Sequence, residues 1–299
     1  MLKLSEIDNL KLLESLANVY ISIFLFDIKN DELIAIKSND FIDMWADQKE
    51  GAQAKTNIVM DNIALPEHRK TMYEFDDFST LNARLDGKND ISVVFAGKFN
   101  GWCRARFIVV DREEDGSIRR ALHVVECIDE EKKRENHLLY LAQTDLMTDI
   151  NNRGYGERRI RECLNDGTEG AFCLFDVDHF KAINDLYGHN TGDKVLVAIA
   201  EAMKAIKREQ DIAMRLGGDE FAMYLTGVMT RDEVEKYIRR LFALVENICV
   251  DISILKQQVS LSLGVSFYCE NTDFDTLYKQ ADKGVYTSKR RVGNAISFN

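Results

Sequence analysis

The chain has a single proline, Pro66, in 299 residues. A long proline-rich linker is therefore excluded, and a rigid, helix-rich connection between domains is the expectation. Its six cysteines (103, 127, 163, 173, 249 and 269) include no C-x-x-C pair, which argues against a zinc site or a disulfide framework. Most sit in apolar runs such as "AFCLF" and "NICV", so reduced and mostly buried thiols are expected. No apolar run reaches the roughly 18 residues of a membrane-spanning helix. The opening "MLKLSEIDNLKLLESL" mixes charge with leucine and does not read as a signal peptide. A cytoplasmic protein without a membrane span is the expectation. Basic residues are also scarce: 39 Lys and Arg stand against 50 Asp and Glu, a net charge of −11. That balance argues against general nucleic-acid binding. It still permits a small polyanion such as a nucleotide, which needs only local cations and a metal.

What is present is the composition of a globular protein, 45% apolar and 30% charged, with length enough for two cores. "VYISIFLFDI" and "ELIAIKS" read as a strand hairpin. A polar, helix-prone middle follows over about 40–88, then three strand-like runs, "ISVVFAGKF", "WCRARFIVVD" and "RRALHVVECID". In the second of these Trp102 is expected to pack on the core. From Asp129 the chain turns to "DEEKKRENHLLYLAQTDLM", with opposite charges three and four apart as on a solvated helix. Leu138, Leu139, Ala142 and Leu146 form a short apolar stripe in it, so a surface helix and a two-helix coiled coil both stay open. Beyond about 145, helix and strand signals alternate, which predicts an α+β layer of the ferredoxin-like type. The boundaries follow: 1–128, a linker helix over 129–146, and 147–299.

Within that last part, "IAMRLGGDEFAMYL" (212–225) reads as a hairpin whose tip carries Gly217, Gly218, Asp219 and Glu220. Asp176 ends the buried strand "AFCLFD", at a sheet edge where sites usually form. Asp178, two residues on, opens a helix and is expected to cap it. If the strand and the hairpin are neighbours, Asp176, Asp219 and Glu220 converge, and three ionised carboxylates need a cation among them. Magnesium suits such oxygen donors, with positions left for phosphate. The paired glycines would let a phosphate chain approach the backbone.

These residues carry a family resemblance. "GGDEF" at 217–221 is the signature of GGDEF-domain diguanylate cyclases, and "DVDHFKAINDLYGHNTGDKVL" (176–196) is similar to that family's most diagnostic block. "DLMTDINNR" (145–153), "LSLGVSFY" and "ADKGVYTSK" also resemble family motifs, in order. The order of elements before residue 128 resembles a PAS-type sensor domain. The resemblance implies an α+β protein with an N-terminal PAS-like antiparallel sheet, a linker helix and a nucleotide-cyclase-type GGDEF domain. It implies condensation of two GTP into cyclic di-GMP with loss of two pyrophosphates, by a homodimer under sensor control. Asp176, Asp219, Glu220 and the carbonyl of Val177 would hold magnesium (or manganese), and Asp219 and Glu220 would be the catalytic acids. Asn184 and Asp193 would bind guanine, while Lys181 and Lys289 would face phosphates. His189 would steady the "YGHN" turn or lie near the nucleotide. Arg208 and Asp211 match an R-x-x-D inhibitory motif for cyclic di-GMP, which Arg239 or Arg240 would complete. Two departures stand out. Val292 and Gly293 occupy the usual G-R positions after Lys289, leaving Arg290 or Arg291 to supply that charge, and Asp149 stands where the family prefers glycine. An inactive module that binds GTP or cyclic di-GMP is the alternative. No haem spacing among His68, His123 and His137 and no flavin-linking cysteine motif identify the sensor's ligand.

Overall fold

Strand alternation begins at Tyr20, where the structure, a computed structural model, describes residues 19–228, 230–251, 259–270 and 272–299, with only backbone for 248–251. The opening leucine-rich segment and the Cys249 side chain thus lie outside the described residues. β1 (Tyr20–Asp27) and β2 (Glu32–Lys37) form the expected hairpin. The polar middle resolves into four short helices, α1 (Asp40–Ala46), α2 (Ala52–Ile63), α3 (Pro66–Phe75) and α4 (Phe78–Arg84). Each start has a local cause. Asn39 Oδ1 accepts the Phe41 and Ile42 amides at α1, Asp77 accepts the Ser79 amide at α4, and Pro66 opens α3 where no amide donor is needed. β3 (Asp90–Gly97), β4 (Gly101–Arg112) and β5 (Ile118–Cys127) complete an antiparallel sheet of order β2-β1-β5-β4-β3. Phe26, Phe95 and Phe107 bury its inner face against Met72 and Leu81 of the helices.

Two expectations fail in this unit. Trp102 is partly exposed and meets the His68 ring edge-on, because it precedes the inward-facing Cys103 and so points to the outer face. The cysteines are not mostly buried: Cys103 and Cys173 are, Cys163 is intermediate, and Cys127 and Cys269 are exposed near strand ends.

α5 (Asp129–Gln143) buries no side chain, and the division between two compact units falls within it, after Asn136. Its first turns are held by charge, with Lys133 on both Asp129 and Glu130. Leu138 and Leu139 are exposed as the stripe requires, but Leu146 lies beyond the helix end. Among the described residues no helix is long and apolar enough to cross a membrane.

The second unit follows as β6 (Asn151–Asn152), α6 (Arg153–Asn165), β7 (Gly170–Val177), α7 (Phe180–Tyr187) and α8 (His189–Ile206). Then come β8 (Ile212–Gly217), β9 (Glu220–Thr226), α9 (Arg231–Asp251), β10 (Leu261–Phe267), α10 (Phe274–Ser288) and β11 (Ala295–Phe298). The sheet order is β11-β10-β7-β9-β8-β6, and its four central strands are antiparallel neighbours in the ferredoxin-like order. Period-2 alternation divides β7 between two cores. Cys173, Phe175 and Val177 face α8 and α9, whereas Phe172 and Leu174 face α6 and α10. Asp176 has the parity of the second set, so the fold presents it on the α10 side.

Asp149 has φ 55°, which explains a family preference for glycine there. This chain keeps a side chain and uses it: Asp149 accepts from the Tyr140 hydroxyl at 2.7 Å and from Lys204 Nζ at 3.2 Å. Asp149→Ala keeps the strained backbone and loses both partners, so it should lower stability by about 1–2 kcal/mol. Asp149→Gly loses the same partners but relieves about 1 kcal/mol of strain, and should stay within about 1 kcal/mol of the parent. Thermal melts of the two variants side by side test the difference.

Candidate functional site

Sheet register brings the acids together. Asp176 at the end of β7 is directly opposite Glu220, the first residue of β9, and opposite Ser262 of β10 on its other side. Directly opposed residues of antiparallel strands project from the same face, so Asp176 and Glu220 share one side of the sheet. Asp219 sits in the turn between β8 and β9, and its carbonyl accepts the Val177 amide at 3.3 Å, which ties the hairpin tip to the end of β7. Gly217 at φ 146° and Gly218 at φ 54° make the turn, where the pairing slips by one residue after Arg215.

The charges interact as the sequence requires. Burial raises the Asp176 carboxyl above its ordinary range, with Asp219 and Asp178 adding to the rise and Lys289 opposing it. Glu220 is raised as well, first by burial and then by the charges of Asp176 and Asp219. Lys289, just past the end of α10, places its Nζ 2.8 Å from Asp176 Oδ2. The lysine expected to face phosphate therefore neutralises a carboxylate. As the side chains stand, no three Asp, Glu, His or Cys among the described residues are gathered closely enough to hold a metal ion. The donor set nonetheless fits a hard divalent cation: its atoms are carboxylate and carbonyl oxygens, and its acids are partly buried and mutually repelling.

Two positioning residues escape a reading of the sequence alone. Arg215, the one charge in the apolar run before the glycines, donates twice to the Gly218 carbonyl, at 2.7 and 3.1 Å, and also reaches Asp145 at 3.2 Å. It holds the glycine turn against the 145–150 segment. Burial works to raise the Asp145 carboxyl, but Thr148 and Arg215 outweigh it and hold it below the ordinary value. A lone arginine inside "IAMRL" was the available signal. The second is Asp178, which does not cap α7. Its carboxylate accepts from the Ser260 and Ser262 hydroxyls at 2.6 and 2.7 Å, and the cap position belongs to His179 in a left-handed conformation. Ser262 of β10 and Ser260 just before it lie beside the end of β7, so they capture the acid before the helix can.

Beside these acids lies a cleft of 660 Å³, lined among others by Asp176, Asp178, Lys289, Arg290 and Arg291. Arg290 lies over the Tyr286 ring and Arg291 donates to the Ile296 carbonyl, so both cations border the cleft although Gly293 carries none.

Asn184 of α7 has a buried Oδ1 without a hydrogen-bond partner, and a β-carbon at Gly192 of α8 would collide with it. Lys181, His189 and Asp193 are exposed and pair with none of the acids among the described residues. α8 begins at His189, four residues before the Asp193 at which "DKVLVAIAEAMKAIKRE" starts to read as a helix, because Gly188 at φ 82° already ends α7. His189 is thus the first residue of that helix.

Arg208 and Asp211 form a two-pronged pair: Nε meets Oδ2 at 3.1 Å and an Nη meets Oδ1 at 2.9 Å. Asp211 is buried and also accepts from the Tyr237 hydroxyl and the Thr226 amide. Burial alone would raise its carboxyl, but these hydrogen bonds hold it below its ordinary value. Arg239 is exposed on α9 and pairs with Glu235, away from Asp211 in its recorded contacts.

Comparison with known proteins agrees with this geometry. The family model described as "Diguanylate cyclase, GGDEF domain" matches residues 142–295, just over half of the chain. The diguanylate cyclase DgcM of Escherichia coli (strain K12) is 34% identical over 187 residues, which cover 58% of this chain and 43% of that protein. The uncharacterised protein YtrP of Bacillus subtilis (strain 168) is 32% identical over 163 residues, covering 54% of this chain and 27% of YtrP. The chain thus spans less than half the length of these curated relatives. Among solved structures, the coiled coil and GGDEF domain of DgcB from Caulobacter crescentus, in complex with c-di-GMP, shares the fold. That match has a TM-score of 0.51 at 24% identity, covering 57% of this chain and 93% of that one.

Asp211→Ala strands three donors and is expected to cost about 3 kcal/mol at neutral pH. Arg208→Ala should cost about 1 kcal/mol, because that edge is open to water and Tyr237 and Thr226 remain. Since folding lowers the Asp211 pKa, its contribution is full above the unfolded value of 3.8 and is lost as pH falls through the folded one. The gap between wild type and Asp211→Asn should accordingly shrink in acid, as measured by urea unfolding across pH.

Proposed function

The chain belongs to the family of GGDEF-domain diguanylate cyclases, and from that premise we propose that it joins two GTP molecules into cyclic di-GMP as a dimer. The observation that carries this reading is the intact acid set, with Asp176 and Glu220 paired across β7 and β9 and Asp219 at the turn beside them. Degenerate binding modules need not keep three repelling carboxylates.

Asp176, Asp219, Glu220 and the Val177 carbonyl would hold magnesium, with manganese as an alternative, and the ion would supply positive charge to the triphosphate. The chain's own part is orientation and proton handling. Gly217 and Gly218 leave the turn without side chains, so the phosphates can approach its backbone. Lys289 exchanges Asp176 for a phosphate oxygen, joined by Lys181 and by Arg290 or Arg291 at the cleft wall. Asn184 accepts from a guanine N–H through its unpartnered Oδ1, and Asp193 takes a second donor of the same edge. Asp219 receives the proton of the attacking 3′-hydroxyl as the new bond to the α-phosphate forms and pyrophosphate leaves. The step then repeats to close the ring.

One chain offers one such site, and the product has two-fold symmetry, so a symmetric pair of domains is the economical arrangement. The N-terminal sheet is a PAS-like sensor in this reading, and α5 is the element through which it sets the pairing, in the cytoplasm where GTP is present. The product would bind at Arg208, with Arg239 or Arg240 completing the site. Asp211 then serves to hold the Arg208 fork. Glycine at 293, where the family has an arginine, would weaken GTP binding unless Arg290 or Arg291 supplies the charge; an inactive module that binds GTP or cyclic di-GMP is the alternative reading.

Incubation of the purified protein with GTP and magnesium, followed by chromatography of the nucleotides, separates the two. Cyclic di-GMP should form and fall at least 100-fold in Asp219→Ala. GTP binding without product would establish the module instead. Arg208→Ala should leave the initial rate near wild type and relieve inhibition by added cyclic di-GMP at least tenfold. Unchanged inhibition would exclude Arg208 from that site.

A further inference from the structure

The N-terminal unit contains a cavity of 470 Å³ between α1 and the inner face of its sheet, within the size range of small-molecule sites. Ile21, Ser22, Phe95, Cys103 and Val125 line it from the strands. Its mouth is aromatic. Phe41 and Trp45 of α1 and Phe99 of the β3–β4 turn border it, and Phe41 and Phe99 are 67% and 71% exposed. Large apolar side chains left in water around an apolar cavity mark a surface that gains by being covered. The Trp45 and Phe99 ring centroids are 6.5 Å apart with planes 21° from parallel, so the mouth offers flat apolar surfaces to a planar molecule.

The lining also selects against charge. None of the described residues bordering the cavity is charged, in a chain of which 30% is. A carboxylate or phosphate would enter without a cation to meet it, and a cation without an acid. The polar groups available are neutral: the Asn39 and Asn100 amides at the edge and the Ser22 hydroxyl inside. Ser22 is buried and makes no side-chain hydrogen bond among the described residues. We propose that this cavity is a binding site for an uncharged, flat aromatic molecule carrying one hydrogen-bonding group, its ring against the aromatic side chains of the mouth and its polar atom at Ser22.

The site is connected to the linker. Val125 and Cys103 form part of its wall, and β5 runs on to α5, where Asp129 Oδ1 accepts the Trp102 amide at 3.3 Å. The inference concerns binding and stands whether or not the second unit is catalytic.

Calorimetric titration of the full chain with 1-naphthol and, separately, with 1-naphthoate tests it. Naphthol should bind at one site per chain, at least tenfold more tightly than the carboxylate of the same ring. Phe99→Ala and Phe41→Ala alter exposed side chains, so the fold, checked by circular dichroism, should persist while naphthol affinity falls at least fivefold. Ser22→Ala should weaken naphthol but not naphthalene. No saturable binding of naphthol, equal affinity for naphthoate, or full affinity in both aromatic variants would overturn the proposal.

Discussion

Repulsion between carboxylates, held in place by strand register, is the constraint on which the second unit is organised. Asp176 and Glu220 cannot separate without breaking the pairing of β7 with β9, which continues through seven residue pairs into a fully buried core. The sheet therefore compels a cluster that electrostatics resists, and both carboxyls are raised, first by burial and then by the neighbouring acids. Lys289 offsets part of it from the end of α10.

Around that cluster the protein spends side chains on holding backbone. Arg215 clamps the glycine turn through the Gly218 carbonyl, and Asp178 is locked by Ser260 and Ser262 at the start of β10. Neither touches the carboxylate pair in the recorded contacts, yet each fixes a segment that carries one of its members. Arg208 and Asp211 do the same at the far end of β8, where a buried acid joins a guanidinium, a phenol and a β9 amide. The Arg208 fork is thus pre-oriented at little further entropy loss to any ligand that meets it.

Much of this was legible in the sequence. The α+β order, the hairpin at 212–225 and the placement of Asp176 at a strand end follow from period and turn chemistry, because apolar alternation and glycine pairs are local signals. Local signals also misled. Asp178 has the chemistry of a helix cap, and only the nearness of Ser260 and Ser262, more than eighty residues away in sequence, decided against it. Trp102 reads as core until strand parity is set by its neighbour Cys103. The early start of α8 reflects Gly188, whose positive φ ends one helix and begins the next.

By itself, then, the sequence determined which residues would be chemically capable: three acids in two motifs, paired glycines at a turn and an R-x-x-D spacing. Tertiary structure alone decided what those residues face. It set Glu220 opposite Asp176, put Lys289 on that acid instead of in solvent, left Asn184 Oδ1 buried without a partner, and formed an uncharged aromatic cavity from several separate elements of the first unit. The physical reason is range. Propensity and periodicity act over a few residues, whereas desolvation and charge pairing act between whichever groups the packed sheet brings within a few ångströms.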